Sequence, residues 1–278
     1  MISRHPRTRH TTALRRVTAA ALGAALLLSV SACSAAVDDE AAAPAADQAF
    51  TTVTEGTLTC AMSGEYRPFN FYDESNELVG FDVDICNGIA EELGLEAEPV
   101  TGAFNSLIAG LTSDRYDAII GSMSSTEERL AQVDFTESYY ATGAELFVAT
   151  DSSITDVADL KDATVGVALG TTFEEYARTL EGVSDVTTFQ ADIDALRDLE
   201  AGRVDAVITQ GFMGRYLAKN ADLKVDAVGD VLFPDVAAIP VNKENPELLD
   251  AINAALVTMH EDGTYEAISI DWFGEDIS

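Results

Sequence analysis

The chain has 278 residues, with 48 Asp and Glu against 16 Lys and Arg, a formal net charge of −32. So much acid repels a phosphate backbone, and no basic cluster with interleaved aromatics offsets it, which argues against nucleic-acid binding. The acid reads as a solvated surface, whose field could also concentrate cationic ligands.

Residues 1–32 hold five arginines and no acid, with an apolar run from Val17 to Val30 and the small residues Ser31 and Ala32 before Cys33. A basic head, an apolar core and a small-residue site describe a secretory signal peptide. The core falls short of the roughly 20 apolar residues of a membrane span. The cysteine after the small residues resembles the bacterial lipoprotein signal, in which that cysteine is acylated and becomes the first residue. The resemblance implies an extracytoplasmic lipoprotein anchored to the cell membrane by a palmitate-type lipid on Cys33; ordinary cleavage is the alternative. Arg15-Arg16 hints at a twin-arginine route. Cleavage leaves 246 residues carrying 11 basic and 48 acidic side chains, a net charge of −37. That length suits two lobes of about 100–150 residues each.

Residues 33–55 are rich in Ala and acids and show no apolar periodicity, so they read as a flexible tether spanning about 25 Å. Folded structure is expected from Gly56, with Thr57–Met62 as the first strand. From Phe81 to Leu93 apolar residues recur at helical spacing and stop at Gly94. Strands alternating with helices continue to about residue 240, which predicts an α/β architecture with parallel sheets. Cys60 falls in the first strand and Cys86 in the helix expected to pack on it. Outside the cytoplasm such a pair could form a disulfide; equally, both could be plain buried cysteines. His260 is the only histidine after residue 32, so no metal or other cofactor is expected.

An internal echo organises the middle of the chain. Leu107-Ile108-Ala109-Gly110-Leu111 leads through Arg115 into Tyr116-Asp117-Ala118-Ile119-Ile120. Eighty-eight residues later, Ala195-Leu196-Arg197-Asp198-Leu199 leads through Arg203 into Val204-Asp205-Ala206-Val207-Ile208. Shared order and spacing predict two similar lobes. Ligands of open α/β sheets bind beyond the carboxyl ends of strands. Ser122 and Gln210, equivalent under this offset, are therefore expected to face one cleft.

The stretch Gly121-Ser122-Met123-Ser124-Ser125-Thr126-Glu127-Glu128-Arg129 places hydroxyls and N–H groups at a helix start, where they can serve an anion. Arg129 adds a charged planar fork suited to a carboxylate. The plainer reading makes Ser124 a helix cap with Glu127 as its capping-box partner and leaves Arg129 on the surface. Gly170-Thr171-Thr172 repeats the arrangement after another strand, without the glycine spacing or lysine of a nucleotide loop. Small-ligand pockets are mostly apolar with a few placed polar groups. Tyr66 and Phe104, each just before an element, suit pocket walls, whereas Phe69, Phe71 and Phe81 suit the core.

Taken together, these landmarks resemble family 3 of the extracytoplasmic solute-binding proteins, the polar-amino-acid-binding proteins of ABC importers, over residues 56–274. They run in order through Tyr66-Arg67-Pro68-Phe69, Gly80-Phe81-Asp82-Val83-Asp84 and Tyr116–Ile120. Ser124–Arg129, Val133-Asp134-Phe135-Thr136-Glu137-Ser138-Tyr139-Tyr140, Val165-Gly166-Val167 with Gly170-Thr171-Thr172, and Asp262-Gly263-Thr264-Tyr265 complete them. The resemblance implies a two-lobed periplasmic-binding-protein type II-like fold, two parallel-core sheets joined by hinge crossings near Tyr140–Gly143 and Asp235–Ala238. Residues 56–141 with 237–278 would form the first lobe and 142–236 the second. The protein would be a monomer that captures an amino acid or similar carboxylate and delivers it to the membrane subunits of an ABC importer.

The family pattern implies that Arg129 holds the α-carboxylate with help from Thr172, that Ser122 and Ser124 meet the amino end, and that Tyr66 and Phe104 sandwich the ligand. Two departures stand out. Gln210 occupies a position where relatives usually carry an aspartate facing the ligand ammonium, and Ser63 one where some carry an acid; Glu65 could restore the missing charge. Two other functions share the fold, a dehydratase and a ligand sensor feeding a receptor. The first finds only Glu65 and Glu174 as acids near the expected cleft and no nucleophile–base pair. The second would usually carry a fused membrane segment.

Overall fold

The computed structural model describes residues 49–278. The signal segment, Cys33 and most of the tether lie outside the described residues. The first strand, Thr57–Met62 (β1), is buried at every position but its first, as expected of a strand covered on both faces. Three short strands follow, Glu65–Tyr66 (β2), Asn70–Tyr72 (β3) and Leu78–Val79 (β4), which pair antiparallel in a small sheet of their own. The predicted first helix forms over Phe81–Glu92 (α1). Its end is set by Gly94, whose φ of 67° is the left-handed conformation in which a helix commonly stops.

The chain then runs through Glu96–Thr101 (β5), Leu107–Leu111 (α2), Ala118–Ile119 (β6), Met123–Ser124 (β7), Glu127–Leu130 (α3) and Asp134–Ala149 (β8). It continues with Thr164–Ala168 (β9), Thr172–Thr179 (α4), Asp185–Phe189 (β10), Asp192–Glu200 (α5), Ala206–Gln210 (β11), Gly211–Asn220 (α6) and Val225–Val241 (β12). Pro246–Asp262 (α7) and Thr264–Phe273 (α8) close the chain, separated only by Gly263 at φ 88°. Among the described residues no helix is long and apolar enough to cross a membrane.

Two parallel triplets carry the architecture. β1 lies between β5 and β6, and β9 lies between β10 and β11, every contact within each triplet being parallel. The 88-residue echo corresponds to one hydrogen-bonding pattern made twice. Asp117 accepts the Thr59 N–H at 2.8 Å and returns its own N–H to the Thr59 carbonyl at 3.0 Å. Asp205 does the same to Thr164, at 2.8 and 2.9 Å. Each aspartate thus laces a strand to its parallel neighbour, which explains why it recurs at one register.

The triplets were expected in two separate sheets; hydrogen bonding makes them one continuous path, β10-β9-β11-β8-β12-β6-β1-β5. The reason lies in β8 and β12, 16 and 17 residues long, which pair antiparallel and reach from one triplet to the other. The two segments read as hinge crossings are paired with each other here: Tyr140 faces Ala237, Ala141 faces Val236, Thr142 faces Asp235 and Gly143 faces Pro234.

Cys60 of β1 and Cys86 of α1 form a disulfide across a sequence separation of 26. Closing a loop of that size removes about 3 kcal/mol of chain entropy from the unfolded state. The Cys60→Ser/Cys86→Ser variant is accordingly expected to lose about 3 kcal/mol in denaturant titration.

Candidate functional site

Where the strands of both triplets end, a small cavity opens between them. Its first group of polar residues follows β6. Gly121 leads into Ser122, which adopts φ 57°, a left-handed conformation uncommon outside glycine. This turn sends the chain into β7, which pairs with Ala237 and Ala238 of β12. The cap of α3 is Thr126, whose hydroxyl accepts the Arg129 N–H at 3.2 Å. Ser124 therefore is not the cap; its hydroxyl donates to Asp235 on β12.

With the helix capped from Thr126, Arg129 turns inward. It is 7% exposed and lines the cavity. Nη1 donates to the Ser124 carbonyl at 2.6 Å and Nη2 to the Gly170 carbonyl at 2.8 Å. The guanidinium carbon lies 5.7 Å from the Phe104 ring centre, a cation–π distance. Burial lowers its pKa, but a guanidinium stays charged in proteins, and its five N–H donors exceed the two bonds it makes here.

The loop after β9 supplies another wall. Thr171 caps α4, accepting the Glu174 N–H at 3.2 Å and donating to the Ala168 carbonyl at 2.7 Å. Thr172, the first residue of that helix, lines the cavity with it. From the other end of the chain come Ser63, Glu65 and Tyr66, and from the turn before α2 comes Phe104. Tyr66 stacks on Phe69 with ring centres 5.3 Å apart. Burial holds its phenol well above the usual pKa, and Tyr140, Asp192, Asp235 and Asp82 add to the shift in that order. The cavity interior is therefore a negative field against apolar walls.

Eight of the nine residues proposed from sequence meet at this cavity: Ser63, Glu65, Tyr66, Phe104, Ser122, Ser124, Arg129 and Thr172. Gln210 is not among its lining residues. Its carboxamide oxygen accepts the Met213 N–H at 2.6 Å, making it the cap of α6. The 88-residue equivalence holds for the strands and fails just beyond them. Ser122 turns at positive φ, whereas Gln210 stays extended at φ −62°, ψ 128° and starts a helix.

Two carboxylates that sequence reasoning missed, Asp192 and Asp235, line the cavity. Asp192 opens α5 and lines the cavity, with one oxygen accepting the Thr209 hydroxyl at 2.6 Å. Burial, and to a lesser degree Asp235, pushes its carboxyl up to about 6. Asp235, itself buried, is raised by desolvation and held back by its Ser124 bond and the Arg129 charge. The available signal for Asp192 was its place just ahead of the echo segment Ala195–Leu199, at the start of the helix that carries that segment. Asp235 stood in the sequence only as a hinge boundary. The cavity thus sets one guanidinium against Asp192, Asp235 and Glu65, with aromatic rings between. A zwitterion with a carboxylate at one end and an ammonium at the other is matched to those charges.

Known proteins resemble this chain along most of its length. The profile of bacterial extracellular solute-binding proteins, family 3, matches residues 58–275. The chain is 33% identical over 226 residues to the L-cystine-binding protein TcyJ of Escherichia coli, covering 80% of this chain and 85% of that protein. It is 33% identical over 223 residues to the histidine-binding periplasmic protein of Salmonella typhimurium, covering 76% and 85%. Among solved structures, an ancestral arginine-binding protein bound to arginine superposes with a TM-score of 0.75 at 39% identity, covering 79% of this chain and 99% of the other.

Proposed function

The chain belongs to family 3 of the bacterial extracellular solute-binding proteins and has their α/β periplasmic-binding-protein fold; from that premise we propose that it is the amino-acid-binding component of an ABC importer. It is a binding protein rather than an enzyme, as its relatives are. Residues 56–141 with 237–278 form one lobe and 142–236 the other. The paired segments of β8 and β12 are the hinge on which the lobes close. Cys33 carries the lipid that keeps the mature protein at the outer face of the cell membrane. The sequence supports that anchor, since a basic head, an apolar core and Ser31-Ala32 precede the cysteine.

The observation that carries the reading is Arg129, buried in a cavity where every other charged lining side chain is an acid. Arg129 grips the α-carboxylate, joined by the N-terminal end of α4 at Thr172. Asp192 meets the α-ammonium, and Ser122 and Ser124 stand at that end. Tyr66 and Phe104 flank the rest of the ligand. With the α-groups matched one to one, Asp235 and Glu65 remain in surplus. The site therefore favours an amino acid with a neutral or cationic side chain over an acidic one.

A thermal-shift screen tests this. A ligand that binds only the native state raises the midpoint in proportion to RT ln(1 + [L]/Kd). L-Arginine, L-histidine and L-cystine are expected to raise it, and L-glutamate is not. A rise with sugars or dicarboxylates alone would overturn the reading.

A further inference from the structure

Asp82 does not line the cavity, yet two of its walls end on that carboxylate. It sits in the first turn of α1 at 0% exposure, and no basic side chain among the described residues pairs with it. One oxygen accepts the Tyr139 hydroxyl at 2.7 Å; the other accepts the Asn70 amide at 2.6 Å and the Ser122 hydroxyl at 3.0 Å. Asn70 in turn accepts the Ser63 hydroxyl and the Gly64 N–H, each at 2.8 Å. The Ser122 N–H reaches the Tyr139 hydroxyl at 2.9 Å.

We propose that Asp82 is a positioning residue for the binding cavity, fixing the Ser63–Tyr66 wall through Asn70 and the Ser122 wall through its own bond and Tyr139. The inference rests on this cavity being the amino-acid site. The donor–acceptor count enforces the arrangement. A carboxylate only accepts, so Asn70 must present its NH₂ to Asp82 and its oxygen to Gly64 and Ser63. Gly64 is at φ 75°, which glycine adopts freely, and Ser122 at φ 57°, which a serine keeps when its surroundings over-determine it. Here the surroundings are one network with a single acceptor at its centre. Burial raises that carboxyl to about 6 although three side-chain hydrogen bonds oppose the shift. A charge kept at that cost, away from any ligand contact, is accounted for by the two walls it holds.

Asp82→Asn leaves one acceptor oxygen where two served: if it faces Asn70 and Ser122, the Tyr139 hydroxyl meets an NH₂ and loses its acceptor, and if it faces Tyr139, an NH₂ meets the Asn70 NH₂. If Asn70 turns to accept from it, a donor then faces the Gly64 N–H. Calorimetric affinity for L-arginine, L-histidine or L-cystine, whichever the unsubstituted protein binds, is expected to fall about tenfold or more. Asn70→Asp/Asp82→Asn restores the bond between positions 70 and 82 and the Tyr139 bond, with the charge moved to the neighbouring residue, and leaves the Ser122 hydroxyl the remaining oxygen, 3.4 Å away in the unsubstituted protein. Its affinity is expected to return to within about threefold of the starting value. A role in stability alone predicts equal affinity in all three proteins once folded. Should Asp82→Asn fail to fold, Tyr139→Phe removes one arm while keeping the ring, with an expected loss of about fivefold. Unchanged affinity in Asp82→Asn or, in that case, in Tyr139→Phe overturns the inference alone. Failure of the unsubstituted protein to bind all three amino acids overturns the reading of the site, and this inference with it.

Discussion

Arg129→Ala is expected to weaken L-arginine binding by about 150- to 25,000-fold, because charge-assisted hydrogen bonds contribute about 1.5–3 kcal/mol each and a carboxylate takes two. The unliganded protein is expected to stay folded. The side chain lies at a cavity rather than inside a hydrophobic cluster, and what it leaves behind is the carbonyls of Ser124 and Gly170, which water entering the space can satisfy. Arg129→Lys separates charge from geometry. It keeps the cation but loses the planar fork, so it should fall between the two. Isothermal calorimetry with circular dichroism on the same samples checks both parts. Full affinity in the alanine variant would remove Arg129 from the ligand.

Asp192→Asn is expected to produce the second large loss. Truncating one partner of a buried, hydrogen-bonded charge pair costs about 2–5 kcal/mol, or roughly 30- to several-thousand-fold in affinity. The loss should appear with L-arginine and be absent with 5-guanidinopentanoic acid, which lacks the α-amino group. The variant also has a pH signature. In the empty protein burial holds the Asp192 carboxyl at about 6, and an ammonium binds its ionised form. Affinity is therefore full above about pH 6 and falls as pH drops below it, by at most about tenfold per unit. Asp192→Asn loses this contribution; any dependence that remains belongs to Asp82, raised to about the same value, and to Asp235, which burial also raises.

The same shift acts on stability with the opposite sense. The folded pKa lies above the unfolded value of 3.8, so between those values the folded state holds more protons. The stability of the empty protein falls as pH rises through that window, on the order of 3 kcal/mol for this group, and levels off above it. At neutral pH the empty asparagine variant should consequently melt higher than the unsubstituted protein while binding worse. Stability is given up for function where a charge is held ready for a ligand.

Much of this was legible in the sequence because strands and helices buried on fixed faces leave periodic traces. The α1 stripe from Phe81 ended at Gly94, and the 88-residue echo marked the two parallel triplets through Asp117 and Asp205. The chemistry of Arg129 left two readings open, cavity or surface, and only the family resemblance favoured the cavity it lines. What was not legible depended on a single backbone angle. Extending the echo one step past the strands equated Ser122 with Gln210, but only Ser122 turns at positive φ, and no composition signal distinguishes a serine there. The cap of α3 failed for a related reason: Ser124 and Thr126 both suit a helix start, and long-range pairing of β7 with β12 drew Ser124 away to Asp235. The continuity of the sheet rests on β8 and β12 pairing across 76 to 107 residues, a contact that local pattern does not encode.

A crystal structure of the protein with L-arginine bound tests the central claim most directly. The account predicts the α-carboxylate paired with the Arg129 guanidinium at about 2.8 Å and the α-ammonium beside Asp192, with the side chain between Tyr66 and Phe104. A carboxylate bound elsewhere, with the guanidinium still held only by Ser124 and Gly170, would contradict it.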